Sequence, residues 1–206
     1  QRFADEMKTR LPEVDRFCGL NDVERIMQAC DLSDTAFVPD LGPAVYLPGD
    51  NAGRILATTG ASAYLKIAEG CDNPCAFCII PKIRGVFRSR TIASLTAEAR
   101  QLAASGVKEV NLIAQDSTSY GSDIGETGGL PALLRTLGEV EELRWIRILY
   151  AYPSKVTTRL MDAMARTDRV VKYIDIPLQH ASKRVLTRMR RGGSAESFLR
   201  MLSEFR

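Results

Sequence analysis

From Ala61 onward the chain alternates short apolar runs with longer amphipathic stretches, and this alternation constrains the fold more than any other feature. Apolar runs of strand length bounded by turn residues read as buried strands. Residues 63–68, 110–114, 145–150 and 171–176 qualify. A helical stretch follows each later gap. Ser94 can cap a helix through Leu95, Ala99, Leu102 and Ala103, with Gly106 ending it. Pro131 can open a second through Leu133, Leu134 and Leu137. Residues 156–166 place Leu160, Met161 and Met164 on one helical face, and a last helical stretch begins at Ser182 or Ser194. Successive strand–helix units imply parallel strands with helices outside. A full barrel has eight such units. The predicted fold is therefore α/β, a partial (β/α) TIM-like barrel. In such folds the carboxyl ends of the strands carry the site. That rim would hold a cysteine loop, Gln115-Asp116, Tyr152-Pro153 and Gln179-His180.

The first 60 residues read differently. Residues 3–11 are helix-like, 13–18 suit a short strand ended by Gly19, and Asn21 or Asp22 can cap a helix through Ile26, Met27 and Cys30. Pro39, Gly42, Pro43, Pro48, Gly49 and Gly53 then punctuate a stretch with little periodicity. The predicted organisation is a small α/β piece at 1–32, a linker at 33–60 and the barrel core at 61–206. With 206 residues, 45% hydrophobic and 26% charged, the chain can bury a core without disulfides or metals. Any metal site is then functional rather than a folding staple. A net charge of +3 does not by itself imply nucleic acid. No apolar run has membrane-span length, and the N-terminus lacks a signal-peptide pattern, so a cytoplasmic protein without membrane contact is expected. The first residue is Gln1 rather than Met, which reads as a piece of a longer chain.

Five cysteines are present, and three of them, Cys71, Cys75 and Cys78, lie within eight residues. An odd number at this spacing suits reduced thiols, not a disulfide framework. Three thiolates on one short loop can ligate three irons of a cubane. Soft sulfur ligands select an iron–sulfur cluster or zinc. No fourth cysteine lies nearby, so the fourth iron would be open to a small molecule. A ferredoxin run has a fourth cysteine and different spacing. The alternative is a structural zinc module with His180, the lone histidine, as fourth ligand.

The spacing, with Phe77 before the last cysteine, resembles the radical S-adenosylmethionine (SAM) superfamily. That resemblance implies a 4Fe–4S cluster held by Cys71, Cys75 and Cys78, with SAM chelated by the open iron. Its reductive cleavage would yield a 5′-deoxyadenosyl radical. It also implies Phe77 near the adenine, Gln115 and Asp116 near the SAM amino group, and Gln179 and His180 near the SAM ribose or the substrate. Residues 63–206 look like the methylthiotransferase branch. The carriers are Glu69-Gly70-Cys71-Asp72-Asn73-Pro74-Cys75-Ala76-Phe77-Cys78-Ile79-Ile80-Pro81, then Arg84-Gly85 and Arg88-Ser89-Arg90. Residues 1–60 resemble the end of the branch's N-terminal domain and the linker after it. The branch places a second cluster on an upstream domain. Cys18 and Cys30 do not match its ligands and read as buried thiols.

Three segments resemble the RimO type, which modifies a ribosomal protein: 114–121 with Gln115-Asp116, 149–153 with Tyr150-Ala151-Tyr152-Pro153, and 175–180 with Gln179-His180. The implied activity adds a methylthio group to the β-carbon of an aspartate of the small-subunit protein S-twelve. The implied partners are the ribosome and an electron donor such as flavodoxin or ferredoxin. The tRNA-adenosine-modifying MiaB type is the alternative within the branch. Tyr150 and Tyr152 could line the pocket or pack the core. Lys82, Arg84, Arg88 and Arg90 could neutralise cluster charge, meet an acidic partner, or be a solvated face. Lys183, Arg184, Arg188, Arg190 and Arg191 could contact RNA or decorate a helix.

Overall fold

The structure, a computed structural model, describes residues 4–49, 55–56 and 60–206. Its frame is a four-stranded parallel sheet of β1 (Ser62–Lys66), β4 (Glu109–Ile113), β5 (Trp145–Ile148) and β6 (Val170–Ile174), adjacent in that order. Leu65 pairs with Leu112, and Leu112 with Ile148. Between Ile146↔Val170 and Ile148↔Ile174 the register shifts, so β6 carries extra residues beside β5. The strands alternate. Leu65, Val110, Leu112, Ile146 and Ile148 are fully buried on one face. Helices α4 (Ile92–Ala104), α5 (Gly129–Gly138) and α6 (Thr158–Arg166) supply the other wall of this core. Leu95, Ala99, Leu133, Leu134, Leu137, Leu160 and Met164 come from them. Each such leucine contributes about 1.5–3 kcal/mol by leaving water. The opposite sheet face is polar or half-exposed. There Arg147 Nε donates to Glu109 Oε1 at 2.7 Å, and its guanidinium lies over Tyr173. The four strands predicted from apolar runs are all present, in the parallel arrangement.

Local chemistry explains the ends of these elements. Thr91, not Ser94, caps α4, its Oγ1 accepting from Ser94 N at 3.2 Å. Ser94 is buried one turn inside the helix, where its hydroxyl accepts from Arg90. Gly106 ends the segment in the left-handed region, φ +97°. The last stretch is two helices, α7 (Lys183–Arg188) and α8 (Ala195–Phe205), the second capped by Ser194.

A two-stranded antiparallel ribbon carries the cysteine loop. β2 (Ala68–Glu69) pairs with β3 (Arg88–Ser89). Between them lie the three cysteines and the short helix α3 (Ile80–Arg84).

The N-terminal part departs from its prediction. Helix α1 (Ala4–Arg10) forms, but residues 13–18 are irregular, not a strand. Gly19 precedes a tight turn, Leu20–Arg25, that leads into α2 (Ile26–Cys30). Asp22 is fully buried and accepts from Gly19 N at 2.7 Å and Asp40 N at 2.9 Å. Asn21 Oδ1 accepts from Val45 N and Tyr46 N at 2.8 and 3.0 Å. Both side chains thus clamp residues 40–46. No strand occurs among residues 33–49; residues 50–54 and 57–59 of the predicted linker lie outside the described residues. Cys18 and Cys30 are exposed, which corrects their reading as buried thiols. The short turns here bury Gly19, Asp22 and Ala29 but build no apolar layer over either sulfur.

Candidate metal centre

The ribbon β2–β3 opens into the loop that presents Cys71, Cys75 and Cys78, all free thiols. Gly70 turns the chain at φ +78°. A Cβ there would sit 2.0 Å from Val86 O, so only glycine permits this approach. Cys71 N then donates to Gly85 O at 3.2 Å, and Phe87 N donates to Asp72 Oδ1 at 3.0 Å. Cys78 N donates to Cys75 O, closing the turn between those two cysteines.

Donors point at two of the sulfurs. Asn73 Nδ2 lies 3.4 Å from Cys71 Sγ. Arg191 Nη1 lies 3.4 Å from Cys75 Sγ, with the Tyr152 hydroxyl at 4.0 Å. N–H groups aimed at sulfur suit thiolates bound to metal. Burial pushes the Cys71 thiol above its ordinary range, against the hydrogen bonds from Asn73. A metal would have to displace that proton. Among the described residues no three His, Cys, Asp or Glu side chains form a group able to hold one metal ion. His180, the supposed fourth zinc ligand, is exposed, and its Nδ1 accepts from Ser182 N at 2.8 Å. Three sulfurs on one loop, joined by no histidine, are a soft donor set whose chemistry suits the irons of a cluster.

Asp116 ties this loop to the strand ends. Only 1% exposed, it follows β4 and caps the turn Ser117–Ser119. Its Oδ1 accepts from Thr118 N and Thr118 Oγ1 at 3.1 and 2.5 Å. Its Oδ2 accepts from Asn73 at 2.8 Å, Ser119 at 2.7 Å and Lys155 Nζ at 2.8 Å. Burial alone would raise this carboxyl, but the donors from Lys155, Thr118, Asn73 and Ser119 outweigh it and hold the group below the usual carboxylate range. Lys155 also reaches Asn73 Oδ1 at 3.0 Å. Asn73, Asp116 and Lys155 therefore form a closed network beside Cys71. Asp116 has no acceptor position left for a ligand. Its neighbour differs: Gln115 Nε2 donates weakly to Glu69 Oε2 at 3.5 Å, while the buried Oε1 has no partner.

Phe77 is 55% exposed, two residues after Cys75. Gln179 and His180 are exposed beyond the end of β6, and Gln179 is left-handed at φ +69°. Tyr150 holds a similar conformation beyond β5, φ +61°, fixed by its N–H donating to Asp175 Oδ2. Non-glycine residues in this region cost about 1–3 kcal/mol each. Arg90 is buried and bound to Glu98, Ser94 and Lys66 O, so it is no cluster-facing charge. Arg88 donates to Arg84 O, Val86 O and Tyr46 O, joining the ribbon to the N-terminal part. Sequence reasoning gave no role to Asn73 or Lys155 and read Arg191 as one of a basic run; only the three-dimensional contacts single them out.

The sequence profile of the radical SAM superfamily matches residues 65–206. The chain is 46% identical over 209 aligned positions to the ribosomal protein uS12 methylthiotransferase RimO of Solibacter usitatus, covering all of this chain and 44% of that protein. It is 44% identical to the protein of the same name from Caldanaerobacter subterraneus, covering all of this chain and 48% of that one. The chain thus spans about half the length of the curated relatives it matches. In fold it is similar to the radical SAM methyltransferase TsrM of Kitasatospora setae, with a TM-score of 0.55 at 17% identity, over 70% of this chain and 28% of that one. It is likewise similar to the cobalamin-dependent SAM radical enzyme OxsB, with a TM-score of 0.59 at 14% identity, over 69% and 22% of the two chains. A parallel partial barrel presents three free thiols on the loop after its first strand, and the profile match runs through loop and barrel together; the chain belongs to the radical SAM superfamily.

Proposed function

We propose that this chain is the radical-generating part of a methylthiotransferase of the RimO type, acting on an aspartate of ribosomal protein uS12. The observation that carries the reading is 46% identity, over the whole chain, to a relative bearing that name. Residues 61–206 are assigned to the radical SAM core, 33–60 to a linker and 1–32 to the end of a preceding α/β domain.

Cys71, Cys75 and Cys78 would hold a 4Fe–4S cluster. With SAM bound to its open iron, such a cluster supplies reductive cleavage to a 5′-deoxyadenosyl radical. The protein's own task is placement. Asn73 and Lys155, locked on Asp116, hold the Cys71 end of the loop. Gln115 offers the acceptor that Asp116 lacks, so Gln115 is assigned to the SAM amino group. Asp116 becomes a positioning residue. Phe77 is assigned to the adenine, and Gln179 and His180 to the ribose or the substrate. The exposed Lys183, Arg184, Arg188 and Arg190 are assigned to contact with ribosomal RNA. A second cluster outside this chain, an electron donor such as flavodoxin or ferredoxin, and a cytoplasmic setting complete the reading. No helix among the described residues is long and apolar enough to cross a membrane.

The test is anaerobic reconstitution followed by incubation with SAM, a low-potential reductant and either uS12 or tRNA. Iron and sulfide bound to the chain, and release of 5′-deoxyadenosine, are expected. For the longer protein of the relatives' length, mass spectrometry should find a methylthio group on a uS12 aspartate. Modified tRNA with unmodified uS12 would refute the substrate. A colourless protein holding zinc and no iron would refute the chemistry.

A further inference from the structure

Five basic residues lie close together at 183–191, but they do not share one environment. Lys183, Arg184, Arg188 and Arg190 are exposed, whereas Arg191 turns inward. After α7 the chain reverses at Arg190, φ +53°, and Arg191 N donates to Leu186 O at 2.9 Å. Met189 O accepts from Ala76 N at 2.9 Å, so this turn is stitched to the cysteine loop. The guanidinium is then held on three sides. Nη2 donates to Pro177 O at 2.9 Å, and the plane lies 4.4 Å over the Tyr152 ring. Nη1 lies 3.4 Å from Cys75 Sγ, and the Tyr152 hydroxyl is 4.0 Å from the same sulfur.

We propose that Arg191 is a positioning residue that raises the reduction potential of the cluster by donating a cationic hydrogen bond to the Cys75 sulfur. The inference rests on the cluster reading above. Reduction adds one negative charge to the cluster and its sulfurs. A fixed cation and donor at one thiolate stabilises the reduced state more than the oxidised one. Guanidinium remains charged at any working pH, so the effect does not depend on titration. Tyr152 is the platform: its ring fixes the direction in which Arg191 points. A purely structural Arg191 would alter how much iron is retained but would leave the potential of the loaded fraction unchanged.

The experiment is a potentiometric titration of the anaerobically reconstituted protein, following the reduced cluster by electron paramagnetic resonance. Arg191→Gln should lower the ratio of reduced to oxidised cluster about tenfold at fixed poise, equivalent to about 59 mV for a one-electron couple. Arg191→Lys, which keeps the charge, should remain nearer the wild type. Tyr152→Leu, which removes the platform, should shift the potential in the same direction as Arg191→Gln. An Arg191→Gln protein that retains iron and titrates at the wild-type potential would overturn the proposal. So would Arg191→Lys falling as far as Arg191→Gln. If Arg191→Gln retains no iron, Tyr152→Leu decides against Tyr152→Phe, which loses the hydroxyl but keeps the ring: a Tyr152→Leu potential no lower than that of Tyr152→Phe overturns the proposal, and a lower one supports it. Failure of the wild type to assemble any cluster would instead strike the underlying reading, and the inference with it.

Discussion

At the residue scale the carboxylate of Asp116 bears the most local weight. Five donors converge on it, and one is the cation of Lys155. Asp116→Ala would leave those donors facing a buried void, an expected cost of about 3 kcal/mol. Chemical denaturation should show the loss as a lower midpoint. Because its folded value is depressed, this carboxylate stabilises the protein above its ordinary range of about 3.9. The contribution disappears as pH falls through the lower folded value. Acid unfolding of Asp116→Asn should therefore be less steep than that of the wild type. Gln115 makes a separate test. Its unfilled acceptor implies that Gln115→Leu weakens SAM binding about tenfold, with stability little changed, which calorimetry on the reconstituted protein would read. From sequence these two neighbours looked equivalent, both polar and both at a strand end. Their difference depends on Asn73, 43 residues earlier, and Lys155, 39 residues later. No local pattern predicts which carboxylate such distant donors will reach.

At the element scale the ribbon β2–β3 decides where the cysteines stand. Its connection depends on Gly70, whose left-handed backbone and contact with Val86 O exclude a side chain. Gly70→Ala should abolish iron retention under conditions where the wild type loads, with far-ultraviolet circular dichroism near wild type because the barrel sheet is untouched. Thr91→Ala removes the cap of α4 and should cost about 1 kcal/mol in thermal or denaturant unfolding. The helix itself was legible from its apolar spacing, but its cap was read as Ser94 and is Thr91. Burial of Ser94 under Arg90 made the choice. The predicted strand at 13–18 failed for a related reason. A strand needs a partner edge, and the turns at 19–46 instead close around Asp22 and Asn21.

Across the whole molecule the parallel sheet gathers positions from 71 to 191 at one rim. Leu112 lies at its centre, pairing with both neighbours, and is fully buried. Leu112→Ala should destabilise the fold by about 2–5 kcal/mol and lower cluster loading with it, since the rim is only as fixed as the sheet beneath. The sequence by itself determined the alternation of strands and helices, their parallel arrangement and the three thiols on one loop. Apolar periodicity and ligand spacing are local properties, so they can be read along the chain. Tertiary structure alone decided that Arg191 faces Cys75 while its basic neighbours face water, that Arg90 is buried, and that Cys18 and Cys30 are exposed. A side chain's partners are set by which segments the fold brings within hydrogen-bond distance. That distance is blind to separation along the chain.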